Sequence, residues 1–243
     1  MKHPKPGKKN SSNSRTVTVI SPIMHFGHDC KEFLQSICNL DYPKNKLQTI
    51  IVVNSIEKIP DYFLKNFPWV SFLEPKQNLG FAKAINQGIK KSNSQYLFIG
   101  NEDLVMSAQS LKSMVAKLES DKTIGILGGK NFFKDKPNVV AAHGHDFNFL
   151  LGLVRDDPRS PDIEKEPLWV DGCAMLIPKN VLNKVGLFDV GYTPIYFEDA
   201  DLCLRVKKAG LRVVYDPKIV FYHGQSRSYS KLPTKQKYFI GHP

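Results

Sequence analysis

Residues 77–103 read QNLGFAKAINQGIKKSNSQYLFIGNED, and their reading decides the fold. FAKAINQGIKKS (81–92) predicts a helix and QYLFIG (95–100) a buried strand. Asn101, Glu102 and Asp103 follow at the carboxyl end of that strand, where a turn can aim polar groups into a cleft. Carboxylates there suit a hard cation such as Mg²⁺ or Mn²⁺, although an isolated NED is also an ordinary polar turn.

The same alternation extends in both directions. TVTVIS (16–21), LQTIIVVN (47–54) and WVSFLE (69–74) read as the preceding strands, with DCKEFLQSICNL (29–40) a helix whose N-cap is Asp29. AQSLKSMVAKLES (108–120) and TIGILGG (123–129) continue the pattern as helix and strand. Right-handed crossovers between such elements build a mixed, mostly parallel α/β sheet with helices on both faces. Ligands bind at the carboxyl ends of its strands, which marks SPIMHFGHD, VVNSIE and GNEDLVM. Between 130 and 167 the pattern weakens and irregular structure is expected. EPLWVDGCAMLIP (166–178) is a strand interrupted near Asp171-Gly172, KNVLNKVGLFD (179–189) a short helix and turn, and LRVVYDP and KIVFYHG two final strands.

Composition sets the remaining bounds. A chain of 243 residues, 42% hydrophobic and 23% charged, is an ordinary globular chain long enough to bury a core. No apolar run approaches a membrane span or a secretory leader. Cys30, Cys38, Cys173 and Cys203 form no metal-binding spacing, so reduced thiols in a cytoplasmic protein are expected. Of the net charge of +11, residues 1–15 carry five basic groups and residues 224–243 four, with no acids, which leaves +2 on the body. One domain over 16–226 is therefore expected between a disordered basic tail (1–15) and a basic C-terminal tail (227–243), the tails suiting peripheral contact with an anionic membrane at its inner face. A near-neutral body argues against a specific nucleic-acid face.

YFEDADLCLRVKKAG (196–210) places Glu198, Asp199 and Asp201 ahead of a helix with Leu202, Val206 and Ala209 on one stripe and Gly210 just past its end. Acidic groups in a first turn offset the helix dipole and can cap it, so these three residues fit a structural role as well as a chemical one.

Taken together, three blocks resemble glycosyltransferase family 2, and within it a rhamnosyltransferase-like branch. They are 77–103, WVDGCAMLIPKNVLNKVGLFD (169–189) and YFEDADLCLRVKKAGLRVVYDPKIVFYHGQS (196–226), and the resemblance spans about Thr16 to Ser226. It implies a GT-A (Rossmann-like) fold and an inverting transfer of sugar from a nucleoside-diphosphate donor, dTDP-rhamnose or a UDP-sugar, to a hydroxyl of a glycan or lipid-linked acceptor. Asp199 matches the general base, and Glu198 a residue that supports it or orients the acceptor. Donor contacts are implied for Asn54, Asn78, Gly80, Asn86, Asn101 and Asp103, and acceptor contacts for Asp171, Gly172 and Asp201. Asp103 and His223 match positions that hold a divalent cation, Mg²⁺ or Mn²⁺.

Two departures stand out. Asn54 occupies the end of the second strand where the family commonly has Asp, which removes a charge from the donor side. SPIMHF replaces the common turn after the first strand. These departures motivate an alternative, a catalytically degenerate domain that binds or scaffolds. The Q-x-x-R-W motif of processive synthases is absent, so addition of single sugars is expected. A nucleotidylyltransferase would need a glycine-rich phosphate loop near 16–30, and none is present.

Overall fold

A computed structural model describes residues 15–148, 153–157, 159–192 and 195–224. The expected tails, 1–15 and 227–243, lie outside these residues apart from Arg15. The first half contains β1 (Val17–Ile23), α1 (His28–Cys38), β2 (Leu47–Val53), α2 (Asp61–Asn66), β3 (Val70–Leu73), α3 (Phe81–Lys91) and β4 (Tyr96–Gly100). After the NED turn come β5 (Leu104–Met106), α4 (Ser110–Ser120) and β6 (Ile124–Phe133). Three short strands follow, β7 (Val140–Ala142), β8 (His145–Asn148) and β9 (Leu153–Asp156). The chain then forms β10 (Ala174–Pro178), α5 (Lys179–Val185), α6 (Glu198–Lys208) and β11 (Arg212–His223).

One sheet runs in the order β3-β2-β1-β4-β10-β6-β11-β5, with β7 on β6, while β8 and β9 form a separate hairpin. β1, β2, β3 and β4 are parallel, as are β6 and β11; β10 runs antiparallel between β4 and β6. Side chains alternate across this sheet. Phe98 packs with α1 (Phe33, Leu34) and α4 (Leu111, Met114) on one face. Leu97 and Ile99 pack with α3 (Ile85), α5 (Leu182) and α6 (Leu202, Val206) on the other. Burial on both faces explains why the strands read as continuous apolar runs.

Several expectations need correction. LRVVYDP and KIVFYHG are one strand, β11, with a register shift between Asp216 and Val220. Pro217 has no N–H for the ladder, and the irregularity absorbs it. Helix α1 is capped at Gly27 without a side-chain bond, and Asp29 sits in its first turn, 3.0 Å from Lys134 Nζ. The region 130–167 holds three short strands rather than irregular chain alone. None of the α6 carboxylates occupies its N-cap, which is Phe197, in the left-handed region at φ 68°, directly after Tyr196 at φ 90°; Asp199 instead bonds a first-turn N–H, that of Ala200. Among the described residues, no helix is long and apolar enough to cross a membrane.

Helix α6 reaches the sheet over Gly125 of β6. A Cβ there would lie 2.5 Å from Val206 Cγ1 and 3.0 Å from Leu211 Cβ. Val206 is fully buried and β-branched, so it has little room to turn away. Gly125→Ala is expected to destabilise the fold by roughly 1–3 kcal/mol through overpacking, read as a lower Tm in thermal unfolding with α6 the element displaced.

Candidate active site

Three strand ends and the start of α6 converge. β4 delivers the NED turn, which the backbone ties to the acceptor-side segment through Asn101 N–H to Cys173 O (3.2 Å). β11 delivers His223, whose Nε2 lies 3.0 Å from Asp103 Oδ1, both side chains being largely enclosed. Asn101 Nδ2 is 3.4 Å from the same imidazole nitrogen. Burial works against a charge on Asp103, but the His223 bond overcomes it and holds the carboxyl below its ordinary value. A carboxylate oxygen and an imidazole nitrogen at this distance form a donor pair fit for a divalent cation that takes its other ligands from phosphate and water.

The acidic group formed by His28, Asp29 and Glu32 also has metal-ligand spacing. Lys134 enters it, bonding Asp29 and Glu32. An ammonium already supplies the positive charge there.

On the acceptor side, Gly172 N–H donates to Asp199 Oδ2 at 2.9 Å. The two are pressed together: a Cβ on residue 172 would stand 3.2 Å from Asp199 Cβ. Glycine at 172 therefore permits both the bond and the approach. Asp199 Oδ1 accepts from Ala200 N–H at 2.8 Å. Burial raises the Asp199 carboxyl above its ordinary value, the two N–H bonds oppose the rise, and Asp171 adds to it. Its neighbour Glu198 is buried, with Oε2 lacking a partner, and burial pushes it up to about 8. Asp171 Oδ1 accepts from His145 Nε2–H at 2.6 Å.

The donor-side residues are partly brought together. Asn54, buried at the end of β2, accepts Leu79 N–H (2.7 Å) and donates to Gly80 O (3.4 Å), while Asn78 accepts Gly80 N–H (2.8 Å). These contacts build the turn that starts α3. Two expected site residues are engaged elsewhere. Asn86 donates to Phe188 O (2.7 Å) and accepts Phe188 N–H (3.1 Å), clamping α3 to the segment after α5. Asp201 is held by Arg205, which also reaches Val185 O at the end of α5. Their polar atoms serve packing between helices.

Glu102 lies in the NED turn singled out from the sequence but was given no role of its own, and His145 escaped the sequence reading. Glu102 turns back to β1 and accepts Met24 N–H at 2.7 Å, fixing the loop that replaces the usual first turn; burial pushes it up to about 7. His145 begins β8, within HGHD (143–146), and two histidines around a glycine beside an acid are the only local signal for it.

Residues 18–189 match the model of Glycosyl transferase family 2. The poly-beta-1,6-N-acetyl-D-glucosamine synthase of Staphylococcus aureus (strain COL) is 23% identical over 206 residues, 83% of this chain and 48% of that protein. The chain thus spans about half the length of the curated relatives it matches. The crystal structure of GalNAc-T7 with UDP, GalNAc and Mn²⁺ superposes with TM-score 0.73 at 14% identity, covering 87% of this chain and 44% of that one. The mannosyltransferase PcManGT of Pyrobaculum calidifontis, in complex with GDP-Man and Mn²⁺, gives 0.67 at 18% identity over 89% and 59%. Both share the GT-A fold. With the family model matched from β1 to the turn after α5, on that fold, this chain belongs to glycosyl transferase family 2.

Proposed function

We propose that this domain is an inverting, nucleotide-sugar-dependent glycosyltransferase in which Asp199 is the general base. The observation that carries the reading is the Asp199 carboxylate, enclosed at the acceptor-side turn and aimed by Gly172 N–H. Asp199 takes the proton of the acceptor hydroxyl as its oxygen bonds to the anomeric carbon, and the bond from that carbon to the diphosphate oxygen breaks. Asp103 and His223 would hold Mg²⁺ or Mn²⁺, which neutralises the leaving diphosphate when bound. The presence of Mn²⁺ with UDP or GDP-Man in the two similar structures supports this assignment.

A UDP-sugar or dTDP-rhamnose is the proposed donor, and a glycan or lipid-linked hydroxyl the acceptor. The likeness to a polysaccharide synthase supports a glycan product. The body over 16–226 acts as one domain, and the basic ends touch an anionic membrane surface on its cytoplasmic side. A second reading, a degenerate binding domain, is favoured by Asn54, whose carboxamide is spent on the turn before α3.

Release of nucleoside diphosphate from dTDP-rhamnose and the common UDP- and GDP-sugars, with and without Mn²⁺, separates the two. Turnover of one donor only with metal is expected, falling by ~10²–10⁴-fold in Asp199→Asn; nucleotide binding with no turnover of any donor supports the degenerate domain. Asp103→Asn is expected to weaken Mn²⁺-dependent nucleotide binding in calorimetry while leaving the metal-free signal unchanged. The rate should rise with pH as Asp199 deprotonates, with its midpoint above the ordinary carboxylate range, because burial and Asp171 raise that carboxyl. A midpoint near the ordinary carboxylate value would remove Asp199 from the role of base.

Glu198 gives an independent check. Folded Glu198 keeps its proton up to about pH 8, whereas the unfolded side chain loses it near the ordinary glutamate value of 4.5. The native state therefore binds the extra proton between those values, and the stability tied to it is lost as pH rises through the window. Glu198→Gln is expected to raise Tm relative to wild type at pH 8–9 and to leave it unchanged near pH 4.

A further inference from the structure

Beyond the donor and base residues, one titratable cluster is left unused. His145 is fixed from four directions. Its N–H donates to Trp169 O (2.9 Å), and its carbonyl accepts Leu168 N–H (2.9 Å). The imidazole stacks on Trp169 with ring centroids 5.2 Å apart and planes inclined by 25°. Nε2 donates to Asp171 Oδ1 at 2.6 Å, and Nδ1 lies 3.4 Å from Asp156 Oδ1. Asp171 remains 26% exposed, so its carboxylate can still accept a bond from a ligand.

From this geometry we infer that His145 is a positioning residue for the acceptor, holding the Asp171 carboxylate where it takes a hydrogen bond from the carbohydrate hydroxyl next to the one that Asp199 deprotonates. The inference rests on the glycosyltransferase reading and extends it to a residue in the segment between β7 and α5. Asp171 directly precedes Gly172, whose N–H aims Asp199. A carboxylate fixed one residue from that N–H shares a frame with the base, so the two can bind one sugar ring at two points. Burial opposes a charge on His145, but Asp171 and then Asp156 overcome it and hold the imidazole well above its ordinary value. Asp171 in turn stays below its own ordinary value, because His145 outweighs the cost of its burial. A neutral, merely packed histidine would need only one of these carboxylates.

The test compares full-length wild type, His145→Gln and His145→Ala in three assays. These are binding of UDP, dTDP and GDP with Mn²⁺, donor hydrolysis to water, and transfer to a panel of methyl glycosides. Nucleotide binding and hydrolysis should stay within about twofold of wild type, while the KM for the glycoside rises ~10-fold or more in His145→Ala with a smaller change in kcat. His145→Gln, which keeps a donor to Asp171, should recover part of the loss. In ¹⁵N-histidine-labelled wild type, both ring nitrogens of His145 should be protonated at pH 7.5, and that signature should vanish in Asp171→Asn.

An unchanged glycoside KM, or loss of nucleotide binding in step with transfer, overturns the positioning role. So does a neutral ring in the wild type. Wild type that hydrolyses a donor yet uses none of the glycosides overturns the inference while leaving the glycosyltransferase reading intact. Wild type that binds no nucleotide overturns both.

Discussion

The hydrogen bond from Gly172 N–H to Asp199 Oδ2 joins the two halves of the molecule's chemistry. It links the turn leading into β10, the antiparallel strand in the middle of the sheet, to the first turn of α6. Everything that fixes either end also fixes this contact. β10 is held between β4 and β6, and α6 is set by the bare surface of Gly125 under Val206. The NED turn is tied to the same segment through Cys173 O. Carboxylates from distant parts of the sequence thereby occupy one rigid frame, which is the condition for oriented attack.

That frame concentrates negative charge. Asp103, Asp171, Asp199 and Glu198 would repel one another if each were ionised and alone. The structure answers in three ways. His223 and His145 bind Asp103 and Asp171 and keep them ionised. Glu198 retains its proton. Asp199 is left with N–H donors only and a raised carboxyl. Groups of one chemical type are thus pushed to different proton affinities by their surroundings.

Much of the sheet was legible in the sequence because strands covered on both faces must be nearly continuous in apolar residues, as QYLFIG and LQTIIVVN are. The placement of Asp103 and Asp199 at element ends was legible for the same reason: the apolar runs stop there. The partners of Asn86 and Asp201 were not legible, because a polar residue on a helix has the same appearance whether it faces a ligand or a neighbouring segment; Phe188 and Arg205 bond them, and neither is visible from spacing. The break in β11 at Pro217 looked like two strands because a missing donor and a chain end leave the same mark. His145 lies in a segment of three- and four-residue strands, too short for any period to emerge, and its partners are 11 and 26 residues away.

The two left-handed residues before α6 carry a different consequence. Tyr196 and Phe197 have side chains, yet both sit at positive φ, a geometry that costs about 1–3 kcal/mol per residue. This reversal sets the path by which the main chain enters α6, and the bond from Gly172 N–H then fixes the Asp199 carboxylate. The start of α6 is thereby held by two independent restraints, a backbone reversal and a hydrogen bond from the turn before β10.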